Sequence, residues 1–284
     1  MLNKYDSSFG MKKMICTHCG KEVPAESNYC PHCGAPSTPL VVERGSLKFE
    51  IKYSPSYALL EAQLPENGHI IAEAGALTYM SSNIEVETRT RMKETGIWGT
   101  IKVSLLGGET LFITDYSAKG GPGKAGFVSA PLGDIIHLEV TPNKGYIIQS
   151  SAYIASTIGV TLDTEWQGFT KGLFGQNLFM LKTLGEGDIF INTFGAIDKH
   201  ELGAGERLIV DNYHLAALSD TCTYSVRMFG GLKSTILGGE GLITEVTGPG
   251  EVYVQTKNVK EFVDWIWRYI APKVRTRGAA LGRR

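Results

Sequence analysis

Four cysteines in two tight pairs, Cys16 with Cys19 and Cys30 with Cys33, are the residues of this sequence best placed to do chemistry. They stand in Cys-Thr-His-Cys-Gly (16–20) and Cys-Pro-His-Cys-Gly (30–34). A C-x-x-C turn brings two sulfurs to one ion while backbone N–H groups point at them. Two such turns supply the four soft ligands, each at about 2.3 Å, of tetrahedral zinc. Gly20 and Gly34 permit the positive φ that the chain takes after the second cysteine of each turn. A segment this short cannot bury a core of its own, so metal binding worth about 10–16 kcal/mol is what folds it. Disulfides or a redox C-x-x-C are the competing chemistries, and the matched turns favour a single ion. His18 and His32 lie inside the turns and are read as bystanders, because four thiolates close the site and leave no position for a catalytic water. The expectation is one structural Zn2+ held by Cys16, Cys19, Cys30 and Cys33.

The segment resembles the zinc-ribbon knuckles found at the ends of many prokaryotic proteins, which contact nucleic acid, protein or nothing known. Cysteine usage also bears on compartment, since paired C-x-x-C turns suit a reducing environment better than long-range disulfides do. No run of 18 apolar residues and no basic-apolar-small leader is present, so a cytoplasmic location is expected. Residues 1–10 are polar and patternless, and Met11 or Met14 would serve as well as Met1 to start the chain.

With 284 residues and 43% hydrophobic content, the chain can bury a full core beyond the cysteine segment. Its 28 Lys and Arg nearly balance 29 Asp and Glu, which gives no general attraction to nucleic acid or membrane. The distribution is uneven: from Lys257 onward eight basic residues face only Glu261 and Asp264. The domain map is a zinc ribbon over 1–34, a Pro-containing linker at 35–46, a β-domain over 47–257, a helix at 258–271 stopped by Pro272, and a basic disordered tail at 272–284. Val259, Phe262, Val263, Ile266 and Ile270 carry the helical period, and the helix is expected to pack on the β-domain. Its aromatic side and following bases leave an anionic membrane surface or nucleic acid as partners, beside the protein partners expected first.

The β-domain contains itself three times. Pro65-Glu66-Asn67-Gly68-His69-Ile70-Ile71 recurs as Pro142 to Ile148 and, more weakly, as Gly205 to Ile209, with Leu77, Ile154 and Leu215 seven positions on. A second element runs Gly108-Glu109-Thr110-Leu111-Phe112, Gly175 to Phe179, and Gly239 to Ile243. A third runs Gly187 to Ile191 and Gly250 to Val254, loosely matched by Gly123 to Val128. One such unit has an apolar face to hide and two edges to cover, which three copies around an axis would do. Ile70, Ile147 and Leu208 are expected at equivalent buried positions. Glu109 and Glu240 invite a carboxylate site, but Gln176 breaks the triad.

Leu106-Gly107-Gly108-Glu109, Leu237-Gly238-Gly239-Glu240 and Val210 to Ala216 make residues 47–262 resemble the altered inheritance of mitochondria protein 24 family. The resemblance implies a mainly β fold of three pseudo-threefold repeats, each similar to a subunit of the tryptophan RNA-binding attenuator protein. It implies no agreed activity. His69, His137, His200, His214 and Cys222 form no nucleophile motif, and Cys222 and His214 are read as a core residue and a strand-face contact. Gly120-Gly121-Pro122-Gly123 lacks the Lys-Ser/Thr and helix of a phosphate loop. The sequence is therefore read as a non-enzymatic zinc-ribbon scaffold or binding protein. The alternatives are a nucleic-acid binder using ribbon and tail, and an enzyme with a site at the pseudo-threefold axis.

Overall fold

Alternating apolar residues, glycine-marked turns and a scarcity of helical period dictate strands through most of the chain. The computed structural model describes residues 13–16, 21–24, 27, 30–33, 40–89, 102–104, 110–128, 132–165, 180–228 and 242–281. In the cysteine segment, β1 (Lys13–Ile15) and β2 (Glu22–Pro24) form a hairpin. A second hairpin, β3 (Leu40–Arg44) and β4 (Leu47–Lys52), turns through Gly45 at φ +60, a conformation that favours glycine. The first unit then comprises β5 (Leu59–Leu64), β6 (His69–Glu73), β7 (Leu77–Met80), β8 (Ile84–Arg89), the short β9 (Lys102–Ser104), β10 (Thr110–Ala118) and β11 (Gly123–Phe127).

The second unit runs β12 (Ile135–Val140), β13 (Tyr146–Gln149), β14 (Tyr153–Ser156), β15 (Val160–Glu165), β16 (Met180–Gly185) and β17 (Gly187–Asn192). The third runs β18 (Ile197–Leu202), β19 (Arg207–Asp211), β20 (Leu215–Ser219), β21 (Thr223–Met228), β22 (Leu242–Thr247) and β23 (Gly250–Gln255). One helix, α1 (Val259–Leu281), follows.

The pairings repeat in one order. The last strand of each unit, β11, β17 or β23, pairs antiparallel with that unit's first and third strands. The strand before it, β10, β16 or β22, pairs with the second and fourth. A bulge falls at the same place each time, after Leu77, Tyr153 and Leu215. Neighbouring units share sheets, because the second strand of one pairs with the third strand of the next: β6 with β14, and β13 with β20.

This register corrects the sequence alignment of the second copy. Leu64, Val140 and Leu202 lie opposite Gly123, Gly187 and Gly250. Counting forward equally from each, the residue equivalent to Ile70 and Leu208 is Tyr146, not Ile147, and the residue equivalent to Leu77 and Leu215 is Tyr153, not Ile154. The match of Gly-His-Ile-Ile to Gly-Tyr-Ile-Ile is one residue out. The slip stayed hidden because both faces of β13 are buried, so either register places apolar residues inside. Ile70 and Tyr146 are buried, while Leu208 is only partly so. A closed ring of three would also pair β19 with β7; among the described residues β19 pairs only with β22 and β7 only with β11.

Three cores follow the units. Phe49, Leu60, Ile70, Tyr116 and Phe127 centre the first, Tyr146, Tyr153, Leu181 and Ile189 the second, and Leu218, Val246 and Val252 the third. Ile71 of the first unit packs in the second core, and Ile147 of the second unit in the third.

Three boundaries differ from expectation. The linker expected at 35–46 contains β3, whose Val41 and Val42 favour a strand once Gly45 supplies the turn. The helix does not stop at Pro272, and the tail expected to be disordered is helical to Leu281. Pro272 removes one donor, but Ala, Lys and Arg around it are strong helix formers. Nor is α1 laid on the β-domain: Phe262 meets Phe194 edge-on at 5.4 Å, Ile266 is half-buried, and Val259, Val263 and Ile270 are exposed.

Candidate metal centre

The β1–β2 hairpin sets the first half of the cysteine site. Ile15 pairs with Glu22, and the Cys16 N–H donates to the Lys21 carbonyl at 2.9 Å, which continues the pairing as far as Cys16. Cys16, Val23 and Cys30 form a small buried cluster. The second knuckle brings Cys33 back, and the His32 N–H donates to Cys30 Sγ at 3.4 Å, as a C-x-x-C turn does toward a thiolate.

The sulfurs of Cys16, Cys30 and Cys33 all lie within 4.8 Å of one another. Cys16 Sγ and Cys33 Sγ stand 3.8 Å apart. A disulfide would need about 2.05 Å. Two sulfurs each about 2.3 Å from a tetrahedral ion are separated by about 3.8 Å. The three thiols therefore fit zinc, and a metal here would be held by Cys16, Cys30 and Cys33. Cys19, the expected fourth ligand, lies outside the described residues, as does His18. His32 is exposed and is not a member of the cluster.

Comparison with known proteins agrees on both parts of the chain. Residues 15–37 match the zinc-ribbon domain family, and residues 49–257 match the family described as mitochondrial biogenesis AIM24. The chain belongs to the AIM24 family. An uncharacterized protein of Streptococcus pyogenes serotype M6 is 31% identical over 229 residues, covering 79% of this chain and 91% of that one. An X-ray crystal structure of a Streptococcus pyogenes protein superposes with a TM-score of 0.64 at 27% identity, covering 78% of this chain and 99% of the other. No described helix is long and apolar enough to cross a membrane.

Within the AIM24 domain, the histidines considered from sequence have hydrogen-bonding roles. His137 Nε2 lies 2.8 Å from Asp188 Oδ1, His69 Nδ1 lies 3.0 Å from Asp115 Oδ1, and His200 pairs with Asp198 at the surface. Asp188 also receives Arg44, whose guanidinium reaches Glu139 at 3.1 Å, so the β3–β4 hairpin is clasped to the second unit. Burial pushes the Asp188 carboxyl up, but the hydrogen bonds from His137 and Arg44 outweigh it and hold the group below the usual aspartate range. Glu251 is surrounded in the same manner by Lys199, Lys144 and Tyr253. Among the described residues, no hydroxyl or thiol hydrogen-bonds the imidazole of His69 or His137.

Cys222 is buried, its thiol 3.5 Å from the Pro249 carbonyl, and burial pushes its pKa up, which makes a poor nucleophile. Glu109 and Glu240, and Gln176 which breaks their triad, lie outside the described residues. Sequence reasoning missed the role of His214. Its Nδ1–H donates to the Gln255 carbonyl at 2.7 Å, leaving Nε2 to accept from Asn258 Nδ2 at 2.8 Å. Asn258 Oδ1 in turn accepts from the Glu261 N–H and caps α1. Asn before a helical period was the signal for the cap; nothing in the sequence announced its histidine partner.

Proposed function

We propose that this chain is a non-enzymatic scaffold whose C-terminal helix rests on an anionic lipid surface, with the zinc ribbon as a metal-folded appendage closed by Cys19. The observation that carries the reading is the exposure of the helix's aromatic residues: Trp265 is 54%, Trp267 57% and Tyr269 63% exposed. Phe262 stacks on Trp265 and Trp265 meets Tyr269 edge-on along one flank, with ring centroids 6.2 and 5.4 Å apart. Val259, Val263 and Ile270 continue the apolar surface. A soluble helix with nothing to touch would not carry three such rings in water. Lys260, Arg268, Lys273, Arg275 and Arg277 lie in the same helix against only Glu261 and Asp264. Aromatic residues beside lysine and arginine are what an interfacial helix uses at an anionic headgroup layer.

The non-enzymatic part is supported by the polar clusters, where the carboxylates of Asp188 and Glu251 are occupied by cations and hydroxyls of the fold.

The test is co-sedimentation of the full chain with vesicles of phosphatidylcholine alone and with one-third phosphatidylglycerol, at low and high salt. Binding is expected only to the anionic vesicles, weakening with salt as surface charges are screened. Trp265→Ala with Trp267→Ala should reduce it at least about tenfold, given about 1.5–3 kcal/mol for each large apolar side chain buried. Equal binding to both vesicles, or none to either, would remove the lipid surface as partner and leave the helix face to a protein.

A further inference from the structure

Among the described residues the β-body joins unit to unit twice and leaves the third join unmade. At the first junction Ile71 lies opposite Ser156 and Ala72 opposite Ala155. At the second, Ile147 lies opposite Leu218 and Ile148 opposite Ala217. Carried to the remaining strands by the shared register, the same relation places Ile209 opposite Met80 and Val210 opposite Tyr79. These strands, β19 and β7, each end a sheet with one row of backbone donors and acceptors unpaired among the described residues.

Side-chain burial marks the same positions. Ile71 and Ile147, which cross into the next unit's core, are 5% and 4% exposed, whereas their equivalent Ile209 is 53% exposed. Ser156 and Leu218 are 2% and 0% exposed, but their equivalent Met80 is 40%. Ala155 and Ala217 are fully buried, while Tyr79 at that position is 37% exposed. Tyr153 and Leu215 are buried on the third strands of units two and three, but Leu77 is only partly covered. The third unit presents the residue that fills a following core, and the first unit's core is open on the side that would receive it.

We propose that these edges are completed by a second copy of this chain: β19 of one copy pairs antiparallel with β7 of the next, seating Ile209 against Met80 and Leu77. The contact is head-to-tail, each copy giving one edge and receiving on the other, so it closes into a ring or extends, according to the rotation at each step. It removes two exposed apolar strand edges, which natural sheets otherwise blunt with charge or proline; β7, Leu-Thr-Tyr-Met, has neither.

A mixing experiment tests it, using the full chain and two surface variants, Ile209→Lys and Met80→Lys, with mass read by light scattering after size exclusion and folding by circular dichroism. The wild-type chain is expected to exceed monomer mass in a concentration-dependent way. Each variant alone should be monomeric and folded, because every junction in its sample contains one spoiled edge. Mixed, the two should form a 1:1 dimer and nothing larger, since the intact β19 of the Met80→Lys chain fits the intact β7 of the Ile209→Lys chain, leaving two spoiled ends whose lysines would face each other and repel. A monomeric wild-type chain would overturn the proposal, as would association that survives in either variant alone, or a mixture that stays monomeric.

Discussion

Asp188 sits in the second unit with its side chain almost wholly buried, facing Arg44 and His137. Its folded pKa is depressed, so it contributes stability above the unfolded aspartate value of about 3.9, and that contribution is lost as pH falls through the folded value. Asp188→Asn should therefore destabilise the protein by about 3 kcal/mol at pH 7, as removal of one partner of a buried pair does, and by much less at pH 3. Urea melts at the two pH values measure it. Glu73 has the opposite sign. Burial raises its carboxyl to about 7, so it stabilises the fold below the unfolded value near 4.3 and loses that contribution as pH rises toward 7. Glu73→Gln should gain on the order of 1 kcal/mol at pH 8, discounted for the group's partial exposure, and nothing at pH 4. For the ribbon, protein purified without added metal should hold about one zinc per chain, and Cys30→Ser with Cys33→Ser should lose it while the β-body stays folded. Elemental analysis with circular dichroism checks both halves. The cysteines were readable in the sequence because their chemistry is local. Asp188 was not, since its partners Arg44 and His137 lie far off in the chain and only folding brings them together.

Helix α1 depends on its first turn, where Asn258 accepts from the Glu261 N–H and is itself held by His214. Asn258→Ala should remove the cap and its anchor together, at about 1 kcal/mol for the cap. Faster tryptophan anisotropy decay, with an unchanged β-body, would report the loosened helix; an unchanged decay would show that Phe262 on Phe194 suffices to hold it. The start of this helix was readable from Asn258 and the spacing of Val259, Val263, Ile266 and Ile270. Its end was not, because proline ordinarily stops a helix, whereas the residues on either side of Pro272 are strong helix formers. The same over-reading of proline hid β3 behind Pro36 and Pro39, although β3 carries the arginine that ties the hairpin to the second unit.

At the scale of the molecule, the repeated glycine elements revealed internal copies because they mark turns, and turn chemistry survives where strand residues drift. Matching such short elements could not fix register to the residue: Tyr146 takes the place the sequence assigned to Ile147, a slip that only hydrogen-bond pairing exposes. The shared sheets also bear on folding. No unit owns all of its core, since Ile71 and Ile147 fill their neighbours' interiors, so a fragment ending near residue 132 should be aggregation-prone and poorly folded, and its circular dichroism should lack the native β signal.

Among the described residues the three units carry a single α-helix, placed at the end of the last one. A solitary helix holds a surface weakly and lets go quickly. Copies joined edge to edge would present one helix each, all fixed to a common body, and once the first has landed the others find the surface at high effective concentration. Avidity multiplies residence by about 10² to 10⁴ without a new contact. The number of joined copies, rather than the affinity of any one helix, would then decide whether the assembly stays or leaves.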